Sequence, residues 1–189
     1  AVQSTGAARL RQELTLAAIT RAVASRHQLY EVMCHLWMDH FNVEVFNDGA
    51  ARHLLVDYQE KVIRPNALGS FRNLLRATAH APAMMAYLDN DTSNANSKQG
   101  INENYGRELL ELHTLGVDGG YTQQDVMEVA RCFTGWRTYG NTNDPRAGTF
   151  YYDPSRHDDR SKLVLGVPFA AGGGFNDGLN VLNILATHP

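Results

Sequence analysis

The sequence predicts a mainly α fold, a bundle of six or seven helices with a small β-hairpin near the C-terminal end, on three observations. Apolar residues recur at three- and four-residue spacing through residues 9–134. Capping and stopping residues divide that pattern into segments of helical length. Beyond Trp136 the texture changes to turn residues, with two short runs rich in β-branched and aromatic side chains.

The first segment, residues 9–25, places Leu10, Leu14, Ala17, Ala18 and Ala22 near helical spacing, with charged residues elsewhere around the axis. In the second, 27–41, the bulky residues Leu29, Val32, Met33, Leu36, Trp37 and Phe41 follow the same period, which predicts a broad buried face. After the punctuation Asn47-Asp48-Gly49 a third helix is expected over 50–63, stopped by Pro65. Ser70 is a good N-cap for 71–79, and Pro82 suits the first turn of a short helix reaching residue 88. Residues 89–100 hold only small, polar and charged side chains apart from the chain itself, so 91–101 are expected as a flexible loop. Two stronger helices follow: 102–115, ended by Gly116, and 122–134, opened by the Thr122/Asp125 capping pair. In the latter, Val126, Val129, Ala130 and Phe133 make a core stripe. The strand candidates 149–152 and 162–165 fall in a hairpin insertion expected over 149–166. The glycine run in 170–174 lacks the Gly-Lys-Ser/Thr ending of a phosphate loop and reads as a turn before a last helix, 177–186.

Length and composition fit one folded domain over 1–189: at 43% hydrophobic and 20% charged, the chain is far from the composition of disorder. A net charge of −3, with 14 arginines and 3 lysines scattered along the chain, gives no basic field and argues against a nucleic-acid partner. No apolar run approaches the length of a membrane span. Cys34 and Cys132 lie in apolar helical patterns without the spacing of a zinc site, and buried free thiols are favoured over a disulfide.

The helix from Asn102 is where chemistry concentrates. At about 100° per residue Asn104, Arg107, Glu108 and Glu111 share one stripe, while Tyr105 and four leucines occupy the remaining circumference. An enclosed carboxylate must be paired or shift its pKa. In a functional reading Glu108 and Glu111, with Glu103, are acids, bases or ligands facing a cleft, and Arg107 binds an anionic group. In a structural reading Arg107 pairs with Glu111, and Glu108 takes an arginine such as Arg131 or Arg64 from a neighbouring helix. His40 ends an aromatic-rich helix, where the dipole alone favours it. As a metal ligand its partners would be His157 and Asp158, with Glu111 or His113 as further candidates, a donor set suited to a divalent transition metal, although no HExxH spacing supports it. The aromatic residues Tyr105, Tyr121, Trp136, Tyr139, Tyr151 and Tyr152 are either a carbohydrate-stacking surface or core.

Residues 102–136, NENYGRELLELHTLGVDGGYTQQDVMEVARCFTGW, carry a resemblance. So do Trp37-x-x-His40-Phe41, Gly69-x-Phe71-x-x-Leu74-Leu75, Pro82-Ala83-Met84, Leu88-Asp89-Asn90 and Phe150 with His157-Asp158, Lys162 and Leu165-Gly166. Together these resemble the signature of a bacterial family known as domain of unknown function 1800. The resemblance implies a longer protein of which this chain is the middle, with the remainder as its natural neighbour, and an extracytoplasmic (periplasmic or secreted) location. Gly106, where relatives usually carry alanine, and Met38-Asp39, in place of a His-Asn pair, depart from the pattern. The resemblance transfers no reaction. Two expectations follow: an exported hydrolase acting on a polysaccharide or peptide through Glu103, Glu108 and Glu111 with His40 or His157, or a noncatalytic binding or scaffold module of a secreted or cell-surface assembly.

Overall fold

The computed structural model describes residues 2–44, 51–98, 100–140 and 144–188. Eight helices run through these residues: α1 (Val2–Ala24), α2 (Gln28–His40), α3 (Ala51–Asp57, continuing through Tyr58–Ile63 and Arg64–Asn66), α4 (Phe71–Ala79), α5 (Pro82–Tyr87), α6 (Asn104–Glu111), α7 (Gln123–Cys132) and α8 (Phe175–Leu185). The fold is mainly α, as the periodicity requires. Asn47-Asp48-Gly49 lies outside the described residues.

Local chemistry accounts for the helix starts. The Ser70 hydroxyl accepts from the Asn73 amide, and Thr122 and Asp125 form a reciprocal capping box. Pro65 does not stop α3, contrary to expectation. Tyr58–Ile63 are π-helical, and the wider turn shifts the hydrogen-bond ladder so that Pro65 enters at a fresh first turn, where its missing N–H is not required. The helix expected over 102–115 ends at Glu111, because the His113 and Leu115 amides reach five residues back, to the carbonyls of Glu108 and Leu110.

Both strand candidates are strands, but they do not pair with each other. β2 (Phe150–Tyr152) pairs antiparallel with β1 (Trp136–Thr138), and β3 (Lys162–Val164) with β4 (Val167–Phe169). The short 165–166 turn, with Leu165 at φ 50 and Gly166 at φ 77, lets β3 fold back on the next residues. Residues 89–98 are tied down: Asn90 and Ser93 are buried, the Gly135 amide donates to the Ser93 carbonyl, and the Ala95 amide donates to the Arg156 carbonyl. The polar composition there serves hydrogen bonds to the first hairpin's neighbourhood.

One continuous core joins α3 to α8, with Phe41, Ile63, Leu74, Leu109, Phe133, Trp136 and Leu182 sealed from water. Val126, Val129, Ala130 and Phe133 are all buried, as their spacing predicts. Trp136 is enclosed by Phe133, Phe150, Phe175 and His80, with ring centroids 4.6–5.3 Å away. Two close approaches depend on missing side chains. At Gly106 a Cβ would stand 3.0 Å from the Ala130 amide nitrogen, so α6 and α7 meet backbone to backbone. At Gly178 it would fall 2.5 Å from the Trp136 ring.

The face of α2 is narrower than its periodicity suggests. Cys34 is buried, yet Leu29, Val32 and Leu36 are exposed, because α2 turns Tyr30, Glu31, Cys34, Trp37 and Met38 toward the rest of the bundle. Leu112 on α6 is exposed as well.

Gly178→Ala should lower the melting temperature, at a cost of about 1–3 kcal/mol for the displaced indole. Thermal denaturation followed by circular dichroism measures it, and a neutral effect would mean that the Trp136 pocket yields freely.

Candidate functional site

The acidic stripe of α6 divides into two parts. Glu103, at the N-cap, accepts from the Arg107 guanidinium at 3.1 Å and from the Gln123 amide at 2.7 Å, and Arg107 also donates to the Gln123 carbonyl oxygen at 3.0 Å. These three side chains fasten the start of α6 to the start of α7. Arg107 therefore pairs backward with Glu103 and not forward with Glu111. Glu108 and Glu111 are half-buried. Burial first, and the neighbouring Glu111 second, push the Glu108 carboxyl above the usual carboxylate range, with Arg107 opposing. Neither glutamate lines the cleft between α1, α2 and α3 or the one bordered by Phe71, Leu115 and Leu185. The arginines expected to neutralise Glu108 are committed elsewhere: Arg64 to Glu31, Arg131 to Glu128 and Asp158.

Those commitments form the buried electrostatics of the molecule. Arg64 of α3 grips Glu31 of α2 through two hydrogen bonds of 2.8 and 2.9 Å, and the guanidinium holds the Glu31 carboxyl below its ordinary value. Arg131 of α7 donates to Asp158 at 2.8 Å and to Glu128 at 2.5 Å, while Arg160 adds a second clamp on Asp158 at 2.6 Å. Asp158 is held far below the carboxylate range, chiefly by Arg160 and then by Arg131. Lys162 of β3 reaches Asp177 of α8 at 2.5 Å, with both side chains almost wholly enclosed. The His157 Nε2 lies 3.3 Å from the same Asp177 oxygen, and its Nδ1 lies 2.9 Å from the Thr134 carbonyl. Gly173 gives Asp177 its room: a Cβ there would sit 1.9 Å from the other carboxylate oxygen.

His40, proposed above as a ligand with His157 and Asp158, is not brought to them. Its Nε2 lies 3.0 Å from the His113 carbonyl oxygen, and its ring rests against Trp37, Phe41 and Phe71. Among the described residues no group of three His, Cys, Asp or Glu side chains converges as metal ligands. The reason is the strand pairing, which turns His157 and Asp158 inward against α7 and α8. His113, beside His40, is buried, and this pushes its pKa down to about 4. Cys34 and Cys132 are buried free thiols, and burial raises the latter to about 12. The aromatic candidates separate too: Tyr105 and Trp136 belong to the core, whereas Tyr139 and Tyr151 stack at 4.3 Å on the first hairpin, with Arg146 over Tyr139.

The larger cleft, about 570 Å³, lies between α1, α2 and α3. Leu14, Ala18, Met38, Val43 and Leu55 give it an aliphatic lining, and Arg21, Glu31, His35, Asp39 and Arg64 put both signs of charge along it. Arg21 and Arg64 also share Glu60, at 2.8 and 3.7 Å. Spacing could not have found this cleft, because its lining comes from three helices whose facing sides are set by packing. The departure Met38-Asp39 does fall within it.

A family profile described as a protein of unknown function, DUF1800, matches residues 2–189. The chain belongs to the DUF1800 family. No curated protein and no solved structure matches it. Of the residues that carry the DUF1800 resemblance, Arg131, Thr134, His157, Asp158 and Lys162 belong to the buried network, where they attach the hairpins to the bundle. Among the described residues no helix is long and apolar enough to cross a membrane.

Two outcomes follow. Lys162→Met should cost about 3–5 kcal/mol by leaving Asp177 buried without its cation, against less than about 1 kcal/mol for Glu103→Gln on the half-exposed clamp; chemical denaturation separates them, and equal losses would contradict this ranking. Because His113 is protonated less readily in the folded state, stability should fall as pH drops from about 6.5 toward 4, by about 3 kcal/mol in all. In that window His113→Gln should reduce the slope measured by urea titration, leaving the part due to His80, whose pKa burial also lowers, since the depressed carboxylates Glu31 and Asp158 contribute their loss only below their ordinary values.

Proposed function

We propose that this chain is a noncatalytic binding module of an extracytoplasmic assembly, and that it holds an extended peptide segment in the cleft between α1, α2 and α3. One observation carries the reading: Arg131, Asp158 and Lys162 of the family motif are held in ion pairs inside the fold, while the cleft presents aliphatic surface and both signs of charge together. Aliphatic walls beside a guanidinium and a carboxylate suit a peptide, whose apolar side chains and backbone dipoles need both. A polysaccharide would call for exposed aromatic faces, and the aromatic residue in this lining, Tyr58, is buried with its hydroxyl bonded to the Phe41 carbonyl at 2.8 Å. The extracytoplasmic setting rests on the family resemblance.

A second reading keeps the hydrolase. Its support is the Glu108 carboxyl, which burial and the neighbouring Glu111 push above the usual carboxylate range, the direction that suits a general acid.

The two readings separate in one experiment. A fluorescent array of mixed apolar and charged peptides is titrated with the wild type, with Met38→Arg, which fills the cleft, and with Glu108→Gln. Binding should weaken at least tenfold in Met38→Arg, survive in Glu108→Gln, and leave the peptides intact. Cleavage that disappears in Glu108→Gln would establish the hydrolase instead.

A further inference from the structure

The outer sides of the first two helices carry aliphatic residues that the bundle does not use. On α1 these are Leu16, Ile19 and Val23; on α2 they are Leu29, Val32 and Leu36, and all six are 51–79% exposed. Each trio spans eight residues, so each makes one stripe about two turns long. At about 100° per residue the α1 stripe stands opposite Leu14, Ala18 and Arg21 of the cleft lining, while Gln12, also in that lining, lies on the stripe's side at the far end of the hairpin. The α2 stripe is rotated away from Glu31 and Met38 on its cleft side, with Asp39 of the lining beside Val32. The two helices are joined by three residues, 25–27, and form a helical hairpin. α1 is thus apolar on two sides, a pattern that a helix shows when both sides are covered.

We infer that this hairpin pairs with the hairpin of a second copy of the chain, the α1 stripe of one against the α2 stripe of the other, to make a two-fold four-helix interface. Three observations favour a second copy. The stripes match in length and bulk, so a two-fold operation sets each against the other and satisfies the self-complementarity that an isologous contact requires. The exposed fractions correspond to on the order of 500 Å² of aliphatic surface, at the top of the range for a monomer's largest patch and most of the apolar core of a standard interface of about 800 Å² per partner. Neither helix contains a lysine, the residue most depleted at interface cores. The inference does not depend on the cleft binding a peptide.

Sedimentation velocity and light scattering of the 189-residue chain over the micromolar range test it. The wild type should show twice the monomer mass, and Ile19→Glu combined with Val32→Glu should dissociate about a hundredfold more readily while keeping the wild-type circular dichroism and melting temperature. As a second measurement, Ile19→Cys with Val32→Cys should form a covalent dimer under mild oxidation, since the native cysteines are buried. A monomeric wild type, a dimer unaffected by both glutamates, or a monomer that instead takes up lipid vesicles or a foreign amphipathic helix on this face would each overturn it.

Discussion

A carboxylate closed off from water needs a cation within contact distance, and the C-terminal part of this fold is arranged around two such carboxylates, Asp158 and Asp177. Each is met from a different element: Asp158 by Arg131 of α7, Asp177 by Lys162 of β3. Neither hairpin has enough residues to hold itself in place, as two-stranded ribbons are marginal alone. The charge pairs attach both to α7 and α8, and the aromatic enclosure of Trp136 then becomes possible. Gly173 and Gly178 are small for the same reason, one making space for the Asp177 carboxylate and the other for the indole.

The N-terminal half uses a parallel device with a different consequence. Arg64 and Glu31 fix α3 to α2, and the shared use of Glu60 by Arg21 and Arg64 draws α1 over them. The three helices do not close completely, which leaves a cleft whose polar residues are partly those that hold it open. A site of this kind has its geometry set before any ligand arrives, because the pairs along its lining are already formed in the fold. The acidic stripe on α6 contrasts with it: Glu103 and Arg107 are used to position α7, and Glu108 and Glu111 are not among the residues that line this cleft.

The DUF1800 signature is therefore read most economically as a folding motif. A run such as Arg131 to Trp136 packs a cation, a buried thiol, a hydroxyl that both donates and accepts, a left-handed glycine and an indole into six positions. Each is placed at the junction where α7 hands over to β1. Chemistry-bearing residue types recur there because a tight junction between a helix and a hairpin needs strong, directional contacts.

Sequence alone determined the helical class, the caps at Ser70 and Thr122, the core stripe of α7, the strand-forming segments and the enclosed character of part of the charged set. These depend on neighbours three or four residues apart, which periodicity records. Tertiary packing decided the rest. Strand partners came from turn geometry at 165–166, the fate of Arg107 from the approach of Gln123, the separation of His40 from His157 from the inward turn of the hairpin, and the cleft from three helices meeting. Each of these is a contact between residues distant in the chain, and a one-dimensional pattern carries the propensity to form an element but not the identity of the surface it will meet.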